Sequence, residues 1–169
     1  MKYTALFIAV ILSYLLGSIP FGYIVGKILV GVDVRTKGSG NIGATNIHRM
    51  LGLGPAIGVL CCDFGKGALS VYLGLLVYGT IGGALCGLAA ALGGSYSVFL
   101  KFQGGKGIAV GGGVILAAMP MTVTILLPIW VGVIAISKYV SLGSITIAVF
   151  APFIAYAFRY PPEYILLCV

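Results

Sequence analysis

Along this chain charged residues are confined to short segments, and the stretches between them are long and apolar. Residues 3–26, 67–100, 107–137 and 139–158 contain no Asp, Glu, Lys or Arg. A helix needs about 20 residues to cross a hydrocarbon layer of about 30 Å, so each run can supply at least one span. Between residues 51 and 100 there is room for two, and the glycine-rich YGTIGG at 78–83 is the natural place to turn. Residues 107–137 allow one long helix or a tight pair of short ones meeting near AMPM at 118–121. Pro120 disfavours the uninterrupted helix, because it has no N–H to donate and its ring clashes with the preceding turn. One more span runs to about Phe158, and RYPP at 159–162 forms an outer turn. Residues 163–169 begin a last span, but seven helical residues rise only about 10 Å. The predicted fold is therefore all-α, a polytopic integral membrane helical bundle. Residues 1–169 form one membrane-embedded domain with cytoplasmic loops at about 31–52 and 101–107.

Composition supports that solvent. With 60% of residues hydrophobic, 8% charged and a mean hydropathy of +1.17, the chain cannot keep a polar surface around a single buried core. The first run is too long for a secretory signal, lacks a small-x-small cleavage site and continues through Pro20 into a basic segment, so it reads as a retained span. Lys27, Arg35, Lys37 and Arg49 crowd around 31–52, which places that loop in the cytoplasm and the N-terminus outside. Lys101, Lys106 and Lys138 bring the chain back to the same side. Asp63 and Lys66 fall inside the second span, where a spacing of i, i+3 lets them share a helix face and neutralise each other. Cys61, Cys62, Cys86 and Cys168 lie in or beside apolar stretches without a C-x-x-C pair, so they read as small buried hydrophobes.

The basic loop carries its own pattern. In KGSGNIGATN at 37–46, Gly38, Gly40 and Gly43 are spaced G-x-G-x-x-G. A dinucleotide fold needs such glycines between a strand and a helix of a βαβ unit, with an acid about 20 residues on. Here a membrane span precedes them and Asp63 lies in the next, so that reading fails. The underlying physics does not need that fold: close glycines let backbone N–H groups converge on an anion, and a following helix N-terminus adds its dipole. Ser39, Asn41, Thr45 and Asn46 add side-chain donors, while Arg35, Lys37 and Arg49 add charge, which makes a phosphate site the simplest functional reading. A flexible loop whose basic residues set topology or touch anionic lipid heads would explain the charges. It would not explain polar donors interleaved with Gly38, Gly40, Gly43 and Gly52.

A second candidate anion loop is KFQGGKG at 101–107, where Gly104, Gly105 and Gly107 flank Lys106 without Walker A spacing. The alternative there is a glycine-rich interhelical turn with a surface lysine. DFGKG at 63–67 stands open between helix packing with an internal ion pair and a site role. The acids are Asp33, Asp63 and Glu163, and His48 is the one histidine. Paired carboxylates, a carboxylate-rich metal site and a Ser-His-Asp triad are accordingly hard to assemble. What remains is a catalyst or carrier that positions and neutralises phosphate groups, with no metal, cofactor or nucleic acid expected. A small transporter or channel for phosphorylated solutes would also use cationic glycine loops near broken helices. It needs a polar path across the bilayer, however, and nearly all the charges here gather on one face.

Five segments occur in an order that resembles the bacterial acyl-phosphate:glycerol-3-phosphate acyltransferases. They are GSIPFGYIVGK (17–27), DVRTKGSGNIGATNIHRMLG (33–52), DFGKG, FLKFQGGKGIA (99–109) and KYVSLGSI (138–145). The resemblance implies seven spans, an outside N-terminus and a cytoplasm-facing active site in the bacterial inner membrane. It implies transfer of a fatty acyl group from acyl phosphate to the 1-hydroxyl of sn-glycerol 3-phosphate, giving lysophosphatidate and phosphate, the first step of phospholipid synthesis. A substrate phosphate oxygen would take the hydroxyl proton, so no protein base is demanded. By the same resemblance Ser39 and Arg49 are the catalytic phosphate contacts, helped by the backbone of Gly38, Gly40 and Gly43. Asn41 and Asn46 join that set, chiefly to hold the loop. Gly104, Gly105, Lys106 and Gly107 match the loop for glycerol 3-phosphate, and Ser141 a substrate-contacting serine, with Ser144 the alternative. The chain departs from the family at Leu92-Gly93-Gly94, where Leu-Gly-His is usual, and at Ala109-Val110, where Ala-Thr is usual. The family's final segment, with a His, an Asn and a Glu, has no counterpart here, so the resemblance predicts a truncated last span.

Overall fold

The computed structural model describes residues 2–168, and among them it contains helices and turns but no strand. α1 (Lys2–Ser18) stops before Pro20, which has no N–H to offer the next helical bond. Instead Ile19 N–H closes the end onto the Leu16 carbonyl at 3.2 Å. α2 (Phe21–Val30) follows and ends at Gly31 in the left-handed region, φ 67°. α3 (Ala44–Leu51) is short and amphipathic: Asn46 and Ile47 point inward while Thr45, His48 and Arg49 stay exposed.

α4 (Leu53–Ser95) is a hairpin of two helical arms. Tyr78 and Gly79 leave the helical region, Gly79 at φ 60°, and the chain reverses there. A Cβ on Gly74 would strike the Gly82 carbonyl and one on Gly82 would strike that of Gly74, although in a straight helix they would stand about 12 Å apart. The expected turn at 78–83 thus takes two residues, and Thr80 already belongs to the second arm. α5 (Ile108–Ala118) and α6 (Pro120–Ser137) are separated by Met119 at φ −142°, ψ 67°. Residues 107–137 are therefore a pair, with Pro120 at the helix start where its missing N–H costs nothing. The 11 residues of α5 rise about 16 Å, roughly half a hydrocarbon layer. α7 (Val140–Ala157) runs beside α6 after a left-handed Lys138. α8 (Pro162–Ile165) and the turn through Cys168 fold against α4 and α7, with Tyr164 buried beside Val71, Ala84, Met119 and Ala155. Residue 169 of the expected last span lies outside the described residues.

The chain is thus an all-helical integral membrane protein built around the α4 hairpin. α1 packs on the second arm, with Gly17 under the Ala90 carbonyl and Gly93 against the Tyr14 backbone. α5 crosses both arms, with Gly67 against the Val110 carbonyl and Gly87 against the Val114 side chain. Small residues let backbones approach, which is how helices associate in lipid, where the hydrophobic effect does not drive them together. Leu76 and Ile136, 87% and 86% exposed, are among many apolar side chains turned outward. Cys86 is buried as expected, but Cys61 and Cys62 are exposed on the first arm. Hydrocarbon solvates a thiol on the outer face as well as the interior does, so apolar sequence surroundings do not fix burial.

The hairpin also decides which loops meet. Leu53 and Ser95 emerge at one end and Tyr78 sits at the other, so the segments at 31–52 and 96–107 leave the bundle together. The rings of Tyr3 and Tyr78 lie 5.7 Å apart, which puts the start of α1 at the far end. Met119 packs with Tyr164 in the far-end core, so α6 returns Lys138 and Ser141 to the loop end.

Candidate active site

The first loop is held by its own polar residues. Asp33 caps a short turn over Val34–Thr36, accepting the Arg35 N–H at 3.0 Å and pairing with the Arg35 guanidinium at 2.7 Å. Those hydrogen bonds, with the adjacent charge, hold the Asp33 carboxyl down at about 2. Arg35 also lies over the Tyr23 ring, 5.3 Å from its centroid. It is therefore committed to the loop, not free for an anion as its sequence position suggested.

Gly38 and Gly40 take φ of 59° and 72°, which side chains rarely adopt. A Cβ on Gly38 would strike Asn46 Oδ1. Asn46 is 1% exposed, and its amide is fully occupied. Oδ1 accepts the Ser39 N–H at 2.8 Å, while Nδ2 donates to the carbonyls of Val34 at 3.1 Å and Lys37 at 3.2 Å. Asn41 Oδ1 accepts the Gly43 N–H at 2.8 Å. Both asparagines hold the loop. The expected cradle from Gly38 to Gly43 is thinner than the glycine spacing suggested, because the amides of Ser39, Gly40 and Gly43 bond within the loop. Among the described residues the amides of Gly38, Asn41 and Ile42 have no protein acceptor. Gly43 caps α3 with no side-chain bond, and among the described residues the amides of Ala44 and Thr45 have no protein acceptor; Ser39 and Arg49 are both exposed.

The second loop differs more from expectation. Gly104 N–H donates to the Ser95 carbonyl at 3.1 Å and Gly105 N–H to that of Gly94 at 2.9 Å. These amides satisfy the last carbonyls of α4, which have no helical partner, so neither is available to a phosphate. Glycine is required at 104 because a Cβ would lie 2.5 Å from both helix-end oxygens. What this loop leaves exposed is Lys106, followed by the left-handed Gly107 and the start of α5 at Ile108, which has no side-chain cap. Ser141 sits exposed on the first turn of α7, at the loop end, with no hydrogen bond to either loop. Ser144 is buried and donates to the Val140 carbonyl at 3.0 Å, an internal helix bond.

The two loops share one floor. Val34, Ile42 and Ile47 from the first, Leu100 from the approach to the second, and Val59 of α4 form a single buried cluster. A Cβ on Gly105 would stand 3.3 Å from Ile42 Cγ1 and 3.5 Å from Asn41 Oδ1, so the loops touch. Gly22 of α2 lies directly beneath the Ile42 carbonyl. Leu100 and Gly22 were not singled out from the sequence, since their role exists only once distant segments meet. Among the described residues Lys37, Arg49 and Lys106 have no ion-pair partner, while Asp33 and Asp63 are each tied in an ion pair. Two cavities, about 450 and 220 Å³, lie at the far end around Arg159 and Glu163 and include none of these residues. Among the described residues no group of His, Cys, Asp and Glu could hold a metal. The site so defined is a surface at one end of a membrane helical bundle where hydrogen-bond donors and cations from two loops come together.

Comparisons with known proteins place this chain in a family. The family model described as glycerol-3-phosphate acyltransferase matches residues 7–169. Glycerol-3-phosphate acyltransferase 2 of Moorella thermoacetica is 44% identical over 159 residues, covering 94% of this chain and 82% of that protein. The glycerol-3-phosphate acyltransferase of Carboxydothermus hydrogenoformans is 44% identical over 160 residues, covering 95% and 82%. The crystal structure of PlsY, an integral membrane glycerol 3-phosphate acyltransferase, in its glycerol 3-phosphate form superposes with a TM-score of 0.92 at 39% identity. It covers 98% of this chain and 82% of that one. The chain belongs to the glycerol-3-phosphate acyltransferase family. It is an acyltransferase of a bacterial membrane, which decides between enzyme and carrier in favour of the enzyme.

Proposed function

We propose that this protein transfers a fatty acyl group from acyl phosphate to the 1-hydroxyl of sn-glycerol 3-phosphate, producing lysophosphatidate and inorganic phosphate on the cytoplasmic face of the inner membrane. The observation that carries the reading is the contact between two cationic loops on one apolar floor, because the reaction brings two phosphate groups together beside a hydrocarbon chain. The related PlsY was crystallised in glycerol 3-phosphate and lysophosphatidic acid forms, an acceptor and a product of such a transfer. Arg49, Ser39 and the open α3 amides are suited to the acyl-phosphate group, and Lys106 with the α5 start to glycerol 3-phosphate. Ser141 at the same end is the further contact the resemblance implies.

Acyl phosphate is already activated, so the residues need to bind, align and neutralise. The glycerol oxygen attacks the acyl carbonyl carbon, the bond from that carbon to the phosphate oxygen breaks, and the departing phosphate carries away the hydroxyl proton. Both carboxylates in this half of the molecule are tied to cations, which is consistent with a substrate oxygen as proton acceptor. Orientation follows from charge. Lys27, Arg35, Lys37, Arg49, Lys101, Lys106 and Lys138 stand at the loop end, against Lys2 and Arg159 at the other, which supports a cytoplasmic site.

The test is to incubate purified protein in detergent with acyl phosphate and glycerol 3-phosphate, measuring lysophosphatidate and released phosphate together. Equal amounts of both are expected without any sealed compartment. Product formed from an acyl thioester but not from acyl phosphate would overturn the donor assignment.

A further inference from the structure

The chain breaks at Pro20, so the carbonyls of Ser18 and Ile19 have no partner four residues on; that of Ile19 keeps a 3.2 Å bond from the Phe21 N–H, and side chains from two distant elements donate to both. Ser97 Oγ donates to the Ser18 carbonyl at 2.6 Å, and Lys66 Nζ donates to that of Ile19 at 2.8 Å. Lys66 also pairs with Asp63 at 2.9 Å, with side-chain exposures of 5% and 14%, and lies 5.6 Å from the centre of the Phe21 ring. An ion pair needed merely to make two charges tolerable in lipid has no reason to bridge to another helix. Here the pair spans from α4 to the break between α1 and α2.

That break supports both loops. Ser97, the other donor to it, accepts the N–H groups of Leu100 and Phe102 through its own carbonyl at 3.1 and 2.8 Å, and so starts the second loop. On the other side Phe21 begins α2, whose Gly22 carries the Ile42 carbonyl of the first loop. We propose that Lys66, oriented by Asp63, is a positioning residue for the acyl-transfer site: its ammonium clamps the α1–α2 break and thereby sets the two phosphate loops against each other. This rests on the function proposed above, since the loops are taken to hold the reacting phosphates. Lys66 itself contacts no substrate. Removing its charge alone would strand the Asp63 carboxylate, so the informative change removes both charges and keeps both shapes.

The experiment is the double variant Asp63→Asn/Lys66→Met, with Lys66→Arg as the conservative comparison, purified in detergent. Two quantities are measured: kcat/KM with acyl phosphate and glycerol 3-phosphate, and the rate of trypsin cleavage between Arg35 and Arg49. A pair that serves only neutrality predicts wild-type behaviour from the uncharged double variant. The clamp predicts a folded, helical protein with kcat/KM reduced about hundredfold by misplacement of the loops. Trypsin cleavage should rise at least about tenfold, as expected from losing a charge-assisted hydrogen bond that keeps the loop closed. Lys66→Arg, which keeps a charged donor, should recover most of both. A wild-type value of either quantity in the double variant overturns the proposal. Should the unmodified protein show no transfer at all, the functional reading fails, and the trypsin rates alone decide on the clamp.

Discussion

Replacing Asn46 by Asp changes one NH2 group to an oxygen and leaves the side-chain shape intact. The retained Oδ1 still accepts the Ser39 N–H at 2.8 Å. The other atom now presents a carboxylate oxygen to the carbonyls of Val34 and Lys37, 3.1 and 3.2 Å away, where an amide had donated to both. Two hydrogen bonds are lost at about 1 kcal/mol each, and a buried carboxylate oxygen that faces two carbonyl oxygens without a donor adds about 1–3 kcal/mol. The sum, roughly 3–5 kcal/mol, falls on one loop and not on the helix core, so local opening is expected before global unfolding. Hydrogen exchange with mass readout should show faster exchange across residues 34–46 with unchanged protection in α4, and acyl transfer should fall at least about hundredfold. Asn46→Ala, which adds no charge, should show the same pair of effects. The reasoning fails if either variant loses turnover while exchange over 34–46 stays at its wild-type rate. That result would mean the side chain acts on substrate directly.

Gly104→Ala should raise KM for glycerol 3-phosphate at least about tenfold more than Gly105→Ala. Its Cβ meets backbone oxygens at 2.5 Å and forces the two capping bonds apart, at about 2–4 kcal/mol, whereas a Cβ at 105 meets a movable Ile42 side chain at 3.3 Å. Equal KM values for the two variants would contradict this. Arg49→Ala removes an unpaired guanidinium and should depress kcat/KM more than Ser39→Ala, with neither affecting expression. Steady-state kinetics on both would expose an error if Arg49→Ala turned over at nearly the normal rate. Single cysteines replacing Lys37 and Gln103 in a cysteine-free background should resist impermeant thiol reagents in intact cells and react once the inner membrane is breached. Labelling from outside would place the loops on the wrong face.

Features whose cause lies within a turn or two of the residue could be read from the sequence. Pro120 separating α5 from α6, Gly79 reversing α4, and the pairing of Asp63 with Lys66 are of this kind. The first loop was also recognisable, because closely spaced glycines interleaved with polar donors stand out between apolar runs, and Gly38 and Gly40 do take left-handed backbone. Which donors that loop leaves free was not. Arg35 is spent on Asp33, an interaction two residues long that a count of cations overlooks. For Gly104 and Gly105 the obstacle was distance in the fold. Their amides go to the end of a helix whose position beside the loop depends on the reversal at Gly79. The same holds for the shared floor, since nothing local to Leu100 connects it with Ile42 and Val34. The exposed Cys61 and Cys62 show a further limit: in lipid, an apolar residue gains little by turning inward, so hydropathy stops reporting burial.

The shared floor also imposes an order on biosynthesis. The first loop is complete at Gly52, but the cluster beneath it includes Leu100, 48 positions later in the chain. At about 5–20 residues per second, the ribosome needs a few seconds to supply that residue, and the α4 hairpin must then fold back before Leu100 reaches Ile42. During that interval the glycines and cations of the first loop lack part of the floor beneath them, so a nascent chain halted before residue 100 should have no ordered two-loop surface.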